Sequence, residues 1–130
     1  MQENKKTHSS IFETSLIPFL MTFLEDHKVE NIVLIDLLNK STFTDYMIIG
    51  SGRSQKHVRM SIEILQIELL KQGHKNIVVE GLPASEWVLL DTGSVIIHLF
   101  TPEMRSFYNL EKMWSTDFRP IHHHEEKLGA

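Results

Sequence analysis

The sequence predicts a single α/β domain built on a mixed five-stranded sheet with helices, in the order α-β-β-α-β-β-β-α. Three observations predict it. Apolar residues recur at helical spacing in three separate segments, which argues for amphipathic helices. Between them lie short runs of branched and aromatic residues bounded by Gly, Asn, Asp and Ser, which read as strands. The chain has 130 residues, 42% of them apolar, enough for one core and too few for two ordinary domains. Strands joined by tight loops pair antiparallel, whereas the strand-helix-strand crossover in mid-chain suits a parallel pair, so the pairing is expected to be mixed.

Residues 1–10 form a polar N-terminal extension. Ile11, Phe12, Leu16, Ile17, Leu20, Phe23 and Leu24 then mark the first helix. Pro18 lies inside this pattern and costs about 3 kcal/mol in a helix interior. The helix therefore either begins near Ser15 with Pro18 in its first turn or is kinked there. Ile32–Leu38 reads as a buried strand interrupted by Asp36. The turn-rich "NKSTFTD" leads to a second strand over Tyr46–Gly50. Ser54 is placed to cap the strongest helix of the chain. Its stripe is Val58, Ile62, Leu65 and Leu69, widened by Ile64 and Leu70, and Gly73 supplies the stop. Ile77–Glu80 makes a third strand and "GLPAS" a loop. Pro102 opens a last helix whose apolar content is Met104, Phe107, Tyr108, Leu110, Met113 and Trp114. Residues 117–130 form a flexible His-rich tail.

"EWVLLDTGSVIIHLF", residues 86–100, reads as the hairpin of strands four and five. A two-residue turn centred on Thr92-Gly93 gives the pairs Asp91/Ser94, Leu90/Val95, Leu89/Ile96, Val88/Ile97 and Trp87/His98. Alternation then puts Val88, Leu90, Val95, Ile97 and Leu99 on one apolar face. Trp87, Leu89, Ile96, His98 and Phe100 share the other, which carries polar handles. With helices on both sides of the sheet, Trp87 and His98 would be a buried pair. With one side open, an aromatic anchor in an apolar patch reads as a binding surface.

Composition removes several classes of function. The chain has no cysteine, hence no disulfide, thiolate metal site or cysteine nucleophile, and a reducing compartment fits. No apolar run reaches signal-peptide or membrane-span length, so a cytoplasmic protein with no membrane partner is expected. A formal net charge of −4 argues against broad coating of nucleic acid and for a basic protein partner.

Candidate chemistry is sparse. "GSGRSQKH", residues 50–57, places glycines between a strand and a helix, where backbone N–H groups could hold a phosphate. It lacks the Gly-Lys-Ser/Thr ending of a nucleotide loop. A nucleotide-binding or nucleotidyltransferase-type enzyme would also need paired carboxylates for divalent metal. Asp36, Asp45 and Asp91 are scattered, no Asp-x-Asp occurs, and turn or edge roles suit them better. "HHHEE", residues 122–126, does not present its imidazoles from one face of a regular element, so no defined metal site is expected. No Ser/His/Asp set stands out.

"DLLNKSTFTDYMIIGSGRSQKHVRMSIEIL" followed by "VEGLPASEWVLLDTGSVIIHLFTPEMRSFYNLEKMW" resembles the ribosomal silencing factor (Iojap-like) family over residues 11–116. The resemblance is carried by Thr44-Asp45-Tyr46, Ser51-Gly52 with Ser54, His57-Val58, Glu80-Gly81, Trp87-Val88 with Asp91, Val95 with His98, and Tyr108-Asn109-Leu110-Glu111 ending in Trp114. Ser94 stands where the family usually has Asp, and Asn109 where it commonly has an acid. The resemblance implies a nucleotidyltransferase-like topology with no catalytic residues and no cofactor. It implies docking on large-subunit ribosomal protein fourteen, at the face that meets the small subunit, so that the subunits cannot join when nutrients are short. Carried onto this chain, Trp87 is the anchor and His98 its polar neighbour. Leu89, Ile96 and Phe100 are the apolar surround, and Asp91 and Glu86 the rim that steers a basic partner. Ribosomal RNA contacts by Arg53, Lys56 and Arg59 would be secondary, and an exposed sheet face could also form a homodimer.

Overall fold

The computed structural model describes residues 16–108. Ile11, Phe12, the helix start near Ser15, Leu110, Met113, Trp114 and the histidine tail lie outside the described residues. The elements are helix α1 (16–26), strands β1 (Glu30–Asp36) and β2 (Tyr46–Ser51), helix α2 (Gln55–Lys71), strands β3 (Val78–Glu80), β4 (Trp87–Asp91) and β5 (Val95–Phe100), and helix α3 (Pro102–Tyr108). This is the expected order, and the five strands form one mixed sheet.

The sheet runs β1-β2-β5-β4-β3, with β2 and β5 parallel and the other pairs antiparallel. The parallel partner of β2 is thus β5, and not the strand that directly follows the crossover helix. The reason lies in composition. A strand with neighbours on both sides and both faces covered must be apolar throughout, and β5 reads Val-Ile-Ile-His-Leu-Phe with five of its six residues buried. β3 has three residues, two of them exposed, and it closes the edge.

β1 ends two residues earlier than the hydropathy pattern suggests. Asp36 Oδ1 accepts the Leu38 N–H at 2.9 Å, which turns the chain and leaves Leu38 partly exposed. Leu37 stays buried, its N–H bonded to the Asp45 carbonyl at 2.8 Å. The strand also begins earlier, with an irregularity between Glu30 and Val33 where Asn31 has φ of 53°.

α2 follows its local signals closely. The Ser54 hydroxyl accepts the His57 N–H at 3.1 Å. At the far end His74 N–H reaches the Leu69 carbonyl and Gly73 N–H the Leu70 carbonyl, both at 3.0 Å, the bond pair of a Schellman stop. Val58, Ile62, Leu65 and Leu69 are fully buried, but Ile64 and Leu70 are exposed. Ser61 is buried beside Ile62, so the stripe widens toward Ser61 and not toward Ile64 and Leu70.

Two apolar clusters flank the sheet. In the larger, Leu20 and Leu24 of α1 and the α2 stripe meet Ile48, Val88, Leu90, Val95, Ile97 and Leu99. In the smaller, Val33, Ile35, Leu37, Met47, Ile49 and Phe100 pack with Trp87 and Met104 on the opposite face.

The β4–β5 hairpin keeps the expected faces but not the expected register. The pairs are Asp91/Ile96, Leu90/Ile97, Leu89/His98, Val88/Leu99 and Trp87/Phe100. The loop is wider because its side chains hold it open. Asp91 Oδ1 accepts the Gly93 N–H at 2.7 Å, and the Thr92 hydroxyl bonds both the carbonyl and the N–H of Val95. A shift of two residues preserves side-chain alternation, so the faces survive.

Two left-handed glycines separate conformational strain from collision. Gly93 has φ of +104° with open space around it, whereas a Cβ on Gly81, at φ +95°, would collide with the Trp87 carbonyl. We expect Gly93→Ala to cost about 1 kcal/mol. Gly81→Ala should cost about 3 kcal/mol or more. Urea unfolding of both variants checks the order; equal losses would contradict it.

Candidate functional site

On the second sheet face, Trp87 and His98 are diagonal neighbours rather than opposite partners. Trp87 Nε1–H donates to His98 Nδ1 at 2.9 Å. The Trp87 ring also stacks on Phe100, with centroids 5.1 Å apart and an interplanar angle of 23°. His98 is 6% exposed and Phe100 not exposed at all. The expectation that these two look outward as polar neighbour and apolar surround is therefore corrected. Alternation assigns a side chain to a face, but the sheet's second apolar cluster encloses both. Trp87, Leu89, Ile96 and Asp91 are half-buried, and Glu86 is exposed.

Burial pushes the His98 imidazole down to about 4, because the charged form loses its hydration in the apolar cluster. His98 is neutral at physiological pH, and the Trp87 bond requires a lone pair on Nδ1, so the proton sits on Nε2. A cationic His98 could not accept that bond.

The rim carboxylates differ in what they have left to offer. Asp91 spends Oδ1 on the turn. Among the described residues, the Glu86 carboxylate accepts a bond only from the neutral amide of Gln55, at 3.1 Å.

A cleft of about 440 Å³ lies beside Glu86, lined by Arg53, Gln55, Thr101, Glu103 and Met104 among others. It sits where the parallel strands β2 and β5 both end and α2 and α3 both begin. Gln55, Thr101 and Glu103 were not singled out in the sequence, and Met104 was read only as apolar content of the last helix. The readable signal was that two strand-to-helix junctions, "GSGRS" and "FTPE", leave the sheet at one edge once β2 and β5 are neighbours.

The "GSGRS" turn is not a free phosphate cradle. Gly52 N–H bonds the Phe100 carbonyl at 2.8 Å, and Arg53 N–H bonds His57 Nδ1 at 2.9 Å. His57 Nε2–H in turn donates to the His27 carbonyl at 2.6 Å, tying α2 to the end of α1. Ser51 Oγ accepts from Arg105 Nη1 at 2.8 Å. A Cβ on Gly52 would press on Val58, so that glycine serves close packing. Asp36, Asp45 and Asp91 gather at the opposite end of the sheet, beside the first residues of β2 and β5. The six residues of β2 separate them from the glycine turn by about 17 Å. Among the described residues no group of three or more His, Asp or Glu side chains is placed to hold a metal ion. No helix among them is long and apolar enough to cross a membrane. Arg53 pairs with Glu30 at 3.5 Å on the surface.

Fold and site together define a small α/β domain, one sheet face covered by α1 and α2 and the other carrying a tryptophan held on a buried histidine and phenylalanine. The family described as ribosomal silencing factor during starvation matches residues 12–128. A ribosomal silencing factor of Zymomonas mobilis is 43% identical over 110 residues, 85% of this chain and 83% of that protein. A mouse protein named for mitochondrial assembly of the ribosomal large subunit is 33% identical over 103 residues, 76% of this chain and 45% of its own length. A crystal structure of a Chromobacterium violaceum protein superposes with a TM-score of 0.73 at 30% identity, covering 78% of this chain and 85% of that one. This chain belongs to the ribosomal silencing factor family, a family of ribosome-associated regulators of translation.

The buried histidine gives a pH signature. Its folded value, about 4, lies below the ordinary 6.5, so folding favours the neutral form. The stabilisation is complete above pH 6.5 and is lost as pH falls toward 4, a change of about 3 kcal/mol. Urea unfolding of the wild type and of His98→Leu at pH 7.5, 6 and 4.5 isolates this contribution. The expected result is a stability gap that narrows in acid; a gap independent of pH would assign His98 no such role.

Proposed function

We propose that this protein binds the large ribosomal subunit through ribosomal protein fourteen and blocks subunit joining by occupying the face where the small subunit would sit. Translation is thereby repressed, in the cytoplasm, when nutrients are short. The reading is supported by family membership and by the large-subunit connection in the mouse relative's name. The observation that carries it is the half-buried rim of Trp87, Leu89 and Ile96 over the buried pair His98 and Phe100.

The rim is suited to such a contact. Trp87 is held by the His98 bond and the Phe100 stack, so little side-chain freedom is lost when a partner covers it. Leu89 and Ile96 flank it with apolar surface that excludes water from the anchor. Glu86 is the exposed rim charge, and with a net charge of −4 the whole chain favours a basic protein. In this reading His98 and Phe100 act from beneath, keeping Trp87 in place, and Asp91 acts through the hairpin turn as much as through its charge. A homodimer formed through the same rim would compete with docking. Contacts of Lys56, Arg59 and Arg53 with ribosomal RNA are secondary, and a steep fall in affinity with salt would reveal them.

Sedimentation of the purified protein with ribosomal subunits on sucrose gradients tests the proposal. The wild type should comigrate with large subunits and reduce joined ribosomes; protein that stays at the top of the gradient defeats the reading. Trp87→Ala should keep its circular dichroism and lose roughly thirtyfold in affinity. Retained affinity would return Trp87 to a purely structural role.

A further inference from the structure

We propose that the cleft between the starts of α2 and α3 receives a cationic side chain, arginine or lysine, of the docked ribosomal protein. This rests on the docking reading above and names the chemistry of one contact within it. Two carboxylates, Glu86 and Glu103, line the cleft against a single guanidinium, that of Arg53. Arg53 is already drawn toward Glu30. Among the described residues no cation pairs with Glu86 or Glu103, and Glu86 has only the neutral Gln55 amide as donor.

An anion fits poorly here. The Gly52, Arg53 and His57 N–H groups that would face it are bonded within the protein, and two carboxylates would oppose it. A cation fits on three counts. Met104 offers apolar surface for the methylene stem of a long basic side chain. The carboxylates supply charged acceptors for its head. The recess sets two carboxylates around one head, so their attractions add, and because both are exposed the attraction is screened by salt. At about 440 Å³ the cleft has room for the side chain and the backbone that carries it.

Position links the cleft to the anchor. Glu86 directly precedes Trp87, and Thr101 at the cleft follows Phe100, with the Thr101 N–H bonded to the Glu86 carbonyl at 2.9 Å. A partner that covers Trp87 thus brings its own side chains over the cleft. The negative recess beside an aromatic anchor is complementary to a basic protein, the partner class that net charge also favours.

Binding of Glu86→Gln, Glu103→Gln and the double variant to purified large subunits, by sedimentation at low and moderate salt, tests this. Both side chains are exposed, so the variants should fold. Each single change should weaken binding by about tenfold, and the double variant should flatten the salt dependence. Glu63→Gln, an exposed carboxylate on α2 away from the cleft, should change neither. A double variant with wild-type affinity and salt dependence, or equal weakening by Glu63→Gln, overturns the cleft contact while leaving docking intact. A wild type that never comigrates with large subunits overturns the docking reading and the cleft contact together.

Discussion

The parallel pairing of β2 with β5 is the constraint on which the rest of the molecule depends. β5 has a hydrogen-bonded neighbour on each side, and Ile97 and Leu99 point into one apolar cluster while Phe100 points into the other. Because β2 runs the same way beside it, both strands finish at one edge, at Ser51 and Phe100. Two helices start there, which creates the cleft. Both strands begin at the opposite edge, which is where Asp36, Asp45 and Asp91 collect. The same pairing that forms a recess at one edge therefore keeps these aspartates away from the glycine turn.

The second face is organised by one neutral histidine. In an apolar cluster a charged imidazole would be costly, and an unpaired neutral one would waste an acceptor. Trp87 resolves this by donating its indole N–H, while its ring lies on Phe100. The Nδ1 acceptor is thereby satisfied, and the tryptophan is fixed at the boundary between core and solvent. Burial and presentation are two sides of one arrangement: what is enclosed beneath determines the orientation of what stands at the rim.

Local chemistry was the legible part of the sequence. Ser54, Gly73 and the four buried positions of α2 could be read because caps and periodicity act within a few residues. The hairpin faces could be read because alternation has a period of two. The register could not, because Gly93 suggests a two-residue turn, while Asp91 and Thr92 hold a wider one with side-chain bonds that composition does not rank. The widths of apolar stripes also escaped, since Ile64 and Leu70 have the right chemistry on the wrong side of α2. Of the candidate site, the cluster around Trp87 was legible and its depth was not. Whether His98 and Phe100 are covered depends on what packs over the sheet, a tertiary fact. The cleft was hidden for a related reason: it exists only once residues from separate junctions meet at one edge.

This arrangement separates two kinds of contribution that sequence alone would merge. His98 and Phe100 touch the anchor and the core at once, so changes there disturb stability and presentation together. Glu86 and Glu103 touch neither cluster, and their charge acts on whatever approaches from solvent. In the docking proposed above, the anchor would confer short-range affinity, dependent on close packing. The recess would confer long-range attraction, dependent on charge and screened by salt. In the proposed docking, a surface built this way would attract a basic partner first and be made specific afterwards by the fit around one indole ring. Glu86 directly precedes Trp87, the first residue of β4, so in the proposed docking the two steps would fall within one contact, with one wall of the cleft next to the anchor along the chain.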